Sequence, residues 1–526
     1  MSDAKVFESL LNRYFSAALA DDPVWANHSG LRAGEGKLGH ATLAHLQRQD
    51  NRRSKTLAAL GALNPRELNN EQHLDRLALR ALLNKECEDF ACKRHELQPG
   101  ALGLVLNVLQ HELQRGDDEP VRARQNILGV LRATPRFLAE DAAVVIRPER
   151  VWRRVMQQTF GGAGSLFDAV DTFLKKPVTA TARKSAKKYH DAVMKRPLAP
   201  EGSFAIGAEA MQRRVTEQLG LDYTLAEIET LAQGEAKRIG GLLKDVCRKF
   251  GKGQSADEII AGARAAWDPG DDLIGVYRRE THRVAKAFRV AKAVSFPKGD
   301  ELEVRLVPEF MRHLYPTAAY SSPGAFEKRQ RGIFWVNDLS LTKTSAAEKL
   351  AERQQHFGLS LTSAHEAYPG HHLQFVTANT HPRKWRRLFA HAVFYEGWTL
   401  WCEQMMVDLH VDDSPWLRVQ QLHDALWRVH RILVDIRLQT GRYSYEQAAA
   451  HLRRHLGFTK ARSEAEINWY SASPTVPMSY WLGRLENERL RRRLMEGRGW
   501  SLQRFNDWLL SFGTLPQSWL EKYGLD

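Results

Sequence analysis

The chain has 526 residues, 43% of them hydrophobic, enough to bury a large core and to build more than one domain. Its 76 Lys and Arg outnumber 62 Asp and Glu for a net charge of +14, but the basic residues are interspersed with acids, which argues against a nucleic-acid partner. Cys87, Cys92, Cys247 and Cys402 form neither a disulfide framework nor a paired Cys-x-x-Cys pattern and point to a reducing cytoplasm; no run of about 18 apolar residues predicts a membrane span.

In chain order, Val6, Leu10, Leu11, Tyr14 and Phe15 fall at helical spacing among charges, which predicts an amphipathic opening helix, not a signal peptide. Asp21-Asp22-Pro23 stops it, and glycines over 30–39 make a loop. Apolar stripes predict helices over 74–83 and 101–113. His95-Glu96 and His111-Glu112 have no second His nearby and read as surface or packing residues. Gly161-Gly162-Ala163-Gly164 reads as a hinge or tight turn between helical segments, and the lysines over 175–188 as a solvated face. Helix follows helix from 223 to 292.

The period then changes. Leu302, Val304 and Leu306 alternate with charged residues, predicting a strand over 301–307, and a second strand is expected over 332–337; the two are expected to pair antiparallel. Asn337 ends the second strand, either as a contact for a substrate amide or as a turn former. Further on, helices are expected over 415–440, with His423 and His430, and over 443–456, with His451 and His455. Without an adjoining Glu these histidines read as packing or surface residues.

The chemistry concentrates in His365-Glu366-Ala-Tyr-Pro369-Gly370-His371-His372, three imidazoles and a carboxylate within eight residues. Zinc takes imidazole and carboxylate ligands, and a Glu beside a ligating His is where a hydrolytic site keeps its general base. On an unbroken helix His371 would point about 240° away from His365, and His372 would lie about 10 Å further along, so neither could share an ion. Pro369 cannot donate to the His365 carbonyl, and Gly370 adds backbone freedom. A bulge or wide turn there would return His371 to His365. His371 is therefore the expected second ligand, with His372 as a supporting residue or substrate contact. Glu396, in Tyr395-Glu-Gly-Trp398, is the candidate third ligand, and Glu403 shares its face and could orient a ligand.

The last suggestive segment is Trp469-Tyr470-Ser-Ala-Ser-Pro474-Thr-Val-Pro477. A helix starting near Pro477 would put Tyr480, Arg484, Asn487 and Arg491 on one face. Tyr480, with Tyr470 or His372, would suit an oxyanion, and Arg484 or Arg491 a substrate carboxylate. Arg491 fits equally into a salt-bridge ladder with Glu486 and Glu488.

In His365-Glu-Ala-Tyr-Pro-Gly-His-His372 and Tyr395-Glu-Gly-Trp398 the chain resembles the bacterial family of domain of unknown function 885. The resemblance implies a mostly helical fold similar to the thermostable carboxypeptidase and thimet-oligopeptidase zinc peptidases, and a metallohydrolase activity. The expectation is a mainly α, long-helix zincin-like metallopeptidase fold with a deep cleft and a small antiparallel sheet. Residues 1–300 would form one cleft wall and 301–526 the metal region of one continuous domain. Function is expected to be zinc-dependent hydrolysis of short peptides, with His365, His371 and Glu396 holding one Zn2+ and Glu366 and Tyr480 catalytic. A lyase or non-peptide amidase on the same scaffold, or a non-catalytic helical binding protein, would share many of these features. Oligomeric state stays open.

Overall fold

The computed structural model describes residues 2–525 except 252, 310, 311 and 313–316. Helices dominate it, and local chemistry sets many of their starts. Asn69 with Gln72, Thr224 with Glu227, Ser255 with Glu258, Ser345 with Glu348 and Ser444 with Gln447 each form a reciprocal capping box that satisfies the first free backbone N–H groups. The opening helix, Asp3–Asp21, ends where expected, and Asp22 caps the next one by accepting from Trp25 N–H. The glycines at 161, 162 and 164 do not make a hinge: helix Arg150–Leu174 runs straight through them. Its apolar face, with Met156, Ala163, Leu166 and Phe167 buried, holds the helix together despite weak local propensity.

The sheet departs from expectation in topology. Strands β1 (Asp300–Leu306), β2 (Ala318–Ser321) and β3 (Gln330–Val336) lie in the order β1-β3-β2. The two strands read from the sequence pair parallel, Val304 opposite Phe334, and the antiparallel partner of β3 is β2. The sheet is mixed because the chain between β1 and β3 is long enough for the return a parallel pair requires. The four residues of β2 are too few to show alternation.

The largest core joins the two ends of the sequence. Phe7, Phe15, Leu74 and Leu79 pack in the same cluster as Leu361, Phe394, Trp398, Trp401 and Phe505. A buried ion-pair knot reinforces it: fully buried Asp75 accepts from both Arg383 and the equally buried Arg386. The helix Ala392–Asp408, which carries Glu396, crosses the helix Val476–Arg491 so closely that glycines meet at the crossing. Among the described residues no helix is long and apolar enough to cross a membrane.

Candidate metal centre

The helix carrying His365 is Leu359–Glu366, and it stops one residue after the histidine. Ala367 leaves helical geometry, the Tyr368–Pro369 bond is cis, and a new helix, His371–Asn379, begins after Gly370. The two histidines therefore sit at the end of one helix and the start of another, a full break where a bulge or wide turn was expected. Gly370 is needed for this close return, since a Cβ there would lie 1.8 Å from the His365 carbonyl oxygen. Trp398, from the Glu396 helix, donates its indole N–H to the Pro369 carbonyl at 2.8 Å and ties the turn to the third ligand's helix.

This arrangement brings His365, His371 and Glu396 together, with one donor atom of each lying within 4.8 Å of the others. Glu396 Oε2 is 3.6 Å from His365 Nε2 and 3.7 Å from His371 Nε2. Zinc bond lengths near 2.0–2.2 Å place tetrahedral ligand atoms roughly 3.3–3.5 Å apart, so the set is close to the spacing of three zinc ligands. Glu396 Oε2 is also buried with no hydrogen-bond partner within 3.5 Å among the described residues, an acceptor that a cation would satisfy. The residues present thus fit the metal that the resemblance implies.

The surroundings fix the donors. His365 Nδ1 lies 2.8 Å from Glu403 Oε1 and its Nε2 faces Glu396; a cation displacing the Nε2 proton would find the ring held as the Nδ1–H tautomer. Arg428 Nη2 stands 3.6 Å from the same Glu403 oxygen. Burial opposes charge on His365, but the carboxylates of Glu396 and Glu403 outweigh it and push its pKa up to about 10. Burial takes His371 down to about 4, which keeps its ring a neutral donor. Burial also raises Glu366, helped by Glu396 and Glu403, to about 7, a value suited to taking up and giving back a proton. Tyr480 is held well above its ordinary value by burial and by its hydrogen bond to Glu396. Around His371 stand Tyr320, Phe375 and Tyr395, with ring centroids 6.4, 5.8 and 5.9 Å away. The three ligand side chains are only 9–10% exposed.

The other expected site residues are placed differently. His372 is fully buried: Tyr320 donates to its Nδ1 at 3.0 Å, and its Nε2 points at Asp300 Oδ2 3.3 Å away, so it braces the turn and offers no surface to a substrate. Asn337 is buried at the end of β3, its amide donating to the Arg312 carbonyl at 2.8 Å, as a strand-ending residue would. Tyr470, also fully buried, donates to Glu466 at 2.6 Å and accepts from Arg431 Nε at 3.0 Å. It reaches the site indirectly, through Arg431, whose guanidinium lies 4.4 Å from the Tyr480 ring centroid, and through Trp469, which contacts both tyrosine rings. Arg484 packs over Trp401 and lies 3.4 Å from Glu488, and Arg491 pairs with Glu488 and Glu496. Axial rise explains why Arg491 falls short, since residues 480 and 491 share a face but stand roughly 16 Å apart along the helix. Arg484, one turn from Tyr480, is held by Trp401 and Glu488. His430 and His451 bond each other, Nδ1 to Nε2, at 3.0 Å.

Sequence reasoning missed Tyr320, Asp300 and Arg428. Tyr395 was legible beside Glu396, whereas Asp300 and Arg428 come from separate elements with no local metal-site pattern.

The model of a family described as bacterial protein of unknown function (DUF885) matches residues 23–523. The chain belongs to the DUF885 family. No curated protein matches it. Two solved structures share the fold of this DUF885 protein. A protein from Shewanella oneidensis, described as a "putative lipoprotein of unknown function", has 18% identity and a TM-score of 0.78, over 99% of this chain and 100% of that one. Another, described as the "putative lipoprotein from Colwellia psychrerythraea", has 17% identity and a TM-score of 0.80, over 99% of this chain and 98% of that one.

Proposed function

We propose that this DUF885 protein is a zinc-dependent hydrolase that cleaves short peptides. The observation that carries the reading is the buried triad of His365, His371 and Glu396, whose orphaned Glu396 Oε2 faces two imidazole nitrogens while Glu366 follows the first ligand in sequence. Zinc held there would supply a Lewis acid that lowers the pKa of water towards about 7. Three protein ligands would leave a zinc ion one position for water or substrate, as catalytic sites have and structural ones do not.

The chain's own residues supply the rest. Glu366 takes the proton of the attacking water on its carboxylate and passes it to the leaving amine nitrogen. Tyr480, whose phenol stays protonated beside Glu396, donates to the oxygen that gains charge as the carbonyl carbon becomes tetrahedral. Glu403 holds His365 in the tautomer that presents Nε2, and the aromatic rings around His371 shield these contacts from bulk water. The four cysteines, none disulfide-bonded, support the cytoplasmic setting that we propose with this activity.

Elemental analysis of wild type, Glu366→Gln and His371→Ala, followed by a peptide-library cleavage assay, tests the reading. About one zinc in wild type and Glu366→Gln, zinc lost in His371→Ala, and cleavage only by wild type are expected. Failure to take up any transition metal after reconstitution would overturn it in favour of a helical binding protein. Turnover of small non-peptide amides without peptide cleavage would move the substrate class.

A further inference from the structure

Tyr368, in the turn between Glu366 and His371, has two faces of interest. Its ring packs edge-on against His372, centroid to centroid 5.0 Å, and its hydroxyl donates to Asp300. The same residue lines a cavity of about 620 Å3 between the helix Leu273–Val290 and β1. β1 is an outer strand of the sheet, so among the described residues the edge turned away from β3 has no strand partner.

The charge of this cavity is one-sided. Arg278, His282, Ala285 and Arg289 line it from the helix at spacings of four, three and four, and therefore share one face. Arg278 and Arg289 form no ion pair among the described residues. Arg278 spends one Nη2 bond on the Val304 carbonyl at 3.2 Å, and Arg289 Cζ lies over the Phe296 ring, 4.0 Å from its centroid. Phe296 in turn packs against Tyr368 at 5.4 Å. Stacking orients a guanidinium while leaving its in-plane N–H fork free. The one carboxylate lining the cavity, Glu303, is already engaged by Arg305 and by Arg331. Two exposed guanidiniums, without counter-ions among the described residues and lining a volume that fits a small ligand, favour a group with several anionic oxygens.

We infer that this cavity binds a carboxylate- or phosphate-type anion through Arg278 and Arg289, and that the anion is an acidic group of the substrate, the Tyr368 turn being the wall shared with the metal loop. The anion binding stands on the cavity alone. Its assignment to the substrate rests on the hydrolase reading.

Calorimetric titration of the full chain, stripped of metal and at fixed ionic strength, separates the two. The probes are inorganic phosphate and succinate, with wild type, Arg278→Ala/Arg289→Ala and Lys286→Ala as proteins. Lys286 is an exposed cation of the same helix that does not line the cavity. Saturable binding by wild type and Lys286→Ala, weakened at least tenfold in the double variant at unchanged melting temperature, is expected. Equal binding by all three, or no saturable binding, overturns the site. A Glu-containing tripeptide that competes with phosphate, where its Gln counterpart does not, supports the substrate source. Phosphate binding that neither peptide disturbs overturns that source and leaves a free anion as the ligand. Because no metal is present, neither outcome depends on the zinc reading.

Discussion

Gly397 and Gly483 meet backbone to backbone where the Glu396 helix crosses the Tyr480 helix: a Cβ on Gly397 would lie 2.6 Å from the Gly483 Cα, and one on Gly483 would lie 1.9 Å from the Val393 carbonyl oxygen. Neither obstacle is a flexible side chain. The crossing is what carries the Tyr480 phenol to Glu396, three residues back along its own helix. Gly483→Ala is therefore expected to force the helices apart, at a cost of about 1–3 kcal/mol, and to weaken zinc retention and peptide cleavage together. Gly241→Ala, a helical site where a Cβ meets nothing within 4 Å, is the control and should gain up to about 1 kcal/mol. Chemical unfolding of both variants checks the signs.

The helices were legible from apolar spacing, as at 74–83 and 101–113, because one face of each is core. The ligand set was legible because Pro369 and Gly370 break the helix between His365 and His371, a local effect that local residues announce. Three things were not. The parallel pairing of β1 with β3 depends on the route of the chain between them. Helix continuity through Gly161–Gly164 depends on packing that propensity does not record. The failure of Arg491 to reach the site depends on axial distance, which a helical wheel omits, and that of Arg484 on the Trp401 and Glu488 contacts that hold it. His372 shows the same limit in small: its neighbours Asp300 and Tyr320 lie 72 and 52 positions away, and they turn a candidate substrate contact into a brace.

Asp75 is a second point of leverage, far from the site in sequence and structural in role. Its carboxylate is fully buried and accepts from Arg383 and Arg386, the latter buried with it. Removing one partner strands the other charge in the core, which costs about 3–5 kcal/mol in comparable cases. Asp75→Ala should unfold at lower denaturant by that amount, whereas Glu71→Ala, whose carboxylate meets Arg386 at 3.1 Å from a more exposed position, should lose under about 1 kcal/mol. Equal losses in the two variants would contradict this account.

His391 makes stability depend on pH in a stated direction. It is buried, its Nδ1 donates to the Gln218 carbonyl at 2.9 Å, and burial lowers its pKa from 6.5 to about 4. The unfolded chain therefore binds the proton more readily. The stabilisation is complete above about pH 6.5 and is lost as pH falls towards 4, with a span of about 3 kcal/mol. His391→Asn keeps a donor for Gln218 without the titration. The difference between wild-type and variant unfolding free energies should shrink or reverse between pH 7 and pH 4. A difference that stays constant across that range would sink the assignment.

Glu403 tests whether the order around His365 matters for metal. It accepts from His365 Nδ1 at 2.8 Å and stands 3.6 Å from Arg428 Nη2, so it fixes the ring and also answers a buried cation. Glu403→Gln keeps an oxygen for the Nδ1–H but removes the charge. It should weaken zinc about tenfold, because the imidazole becomes a poorer base. Glu403→Ala frees the ring and leaves Arg428 without this partner, so the loss should approach a hundredfold. Competition with a chelator of known affinity reads both. If the two variants hold zinc as tightly as wild type, His365 is not oriented by Glu403 in the loaded protein, and the argument from tautomer to ligand fails at that step.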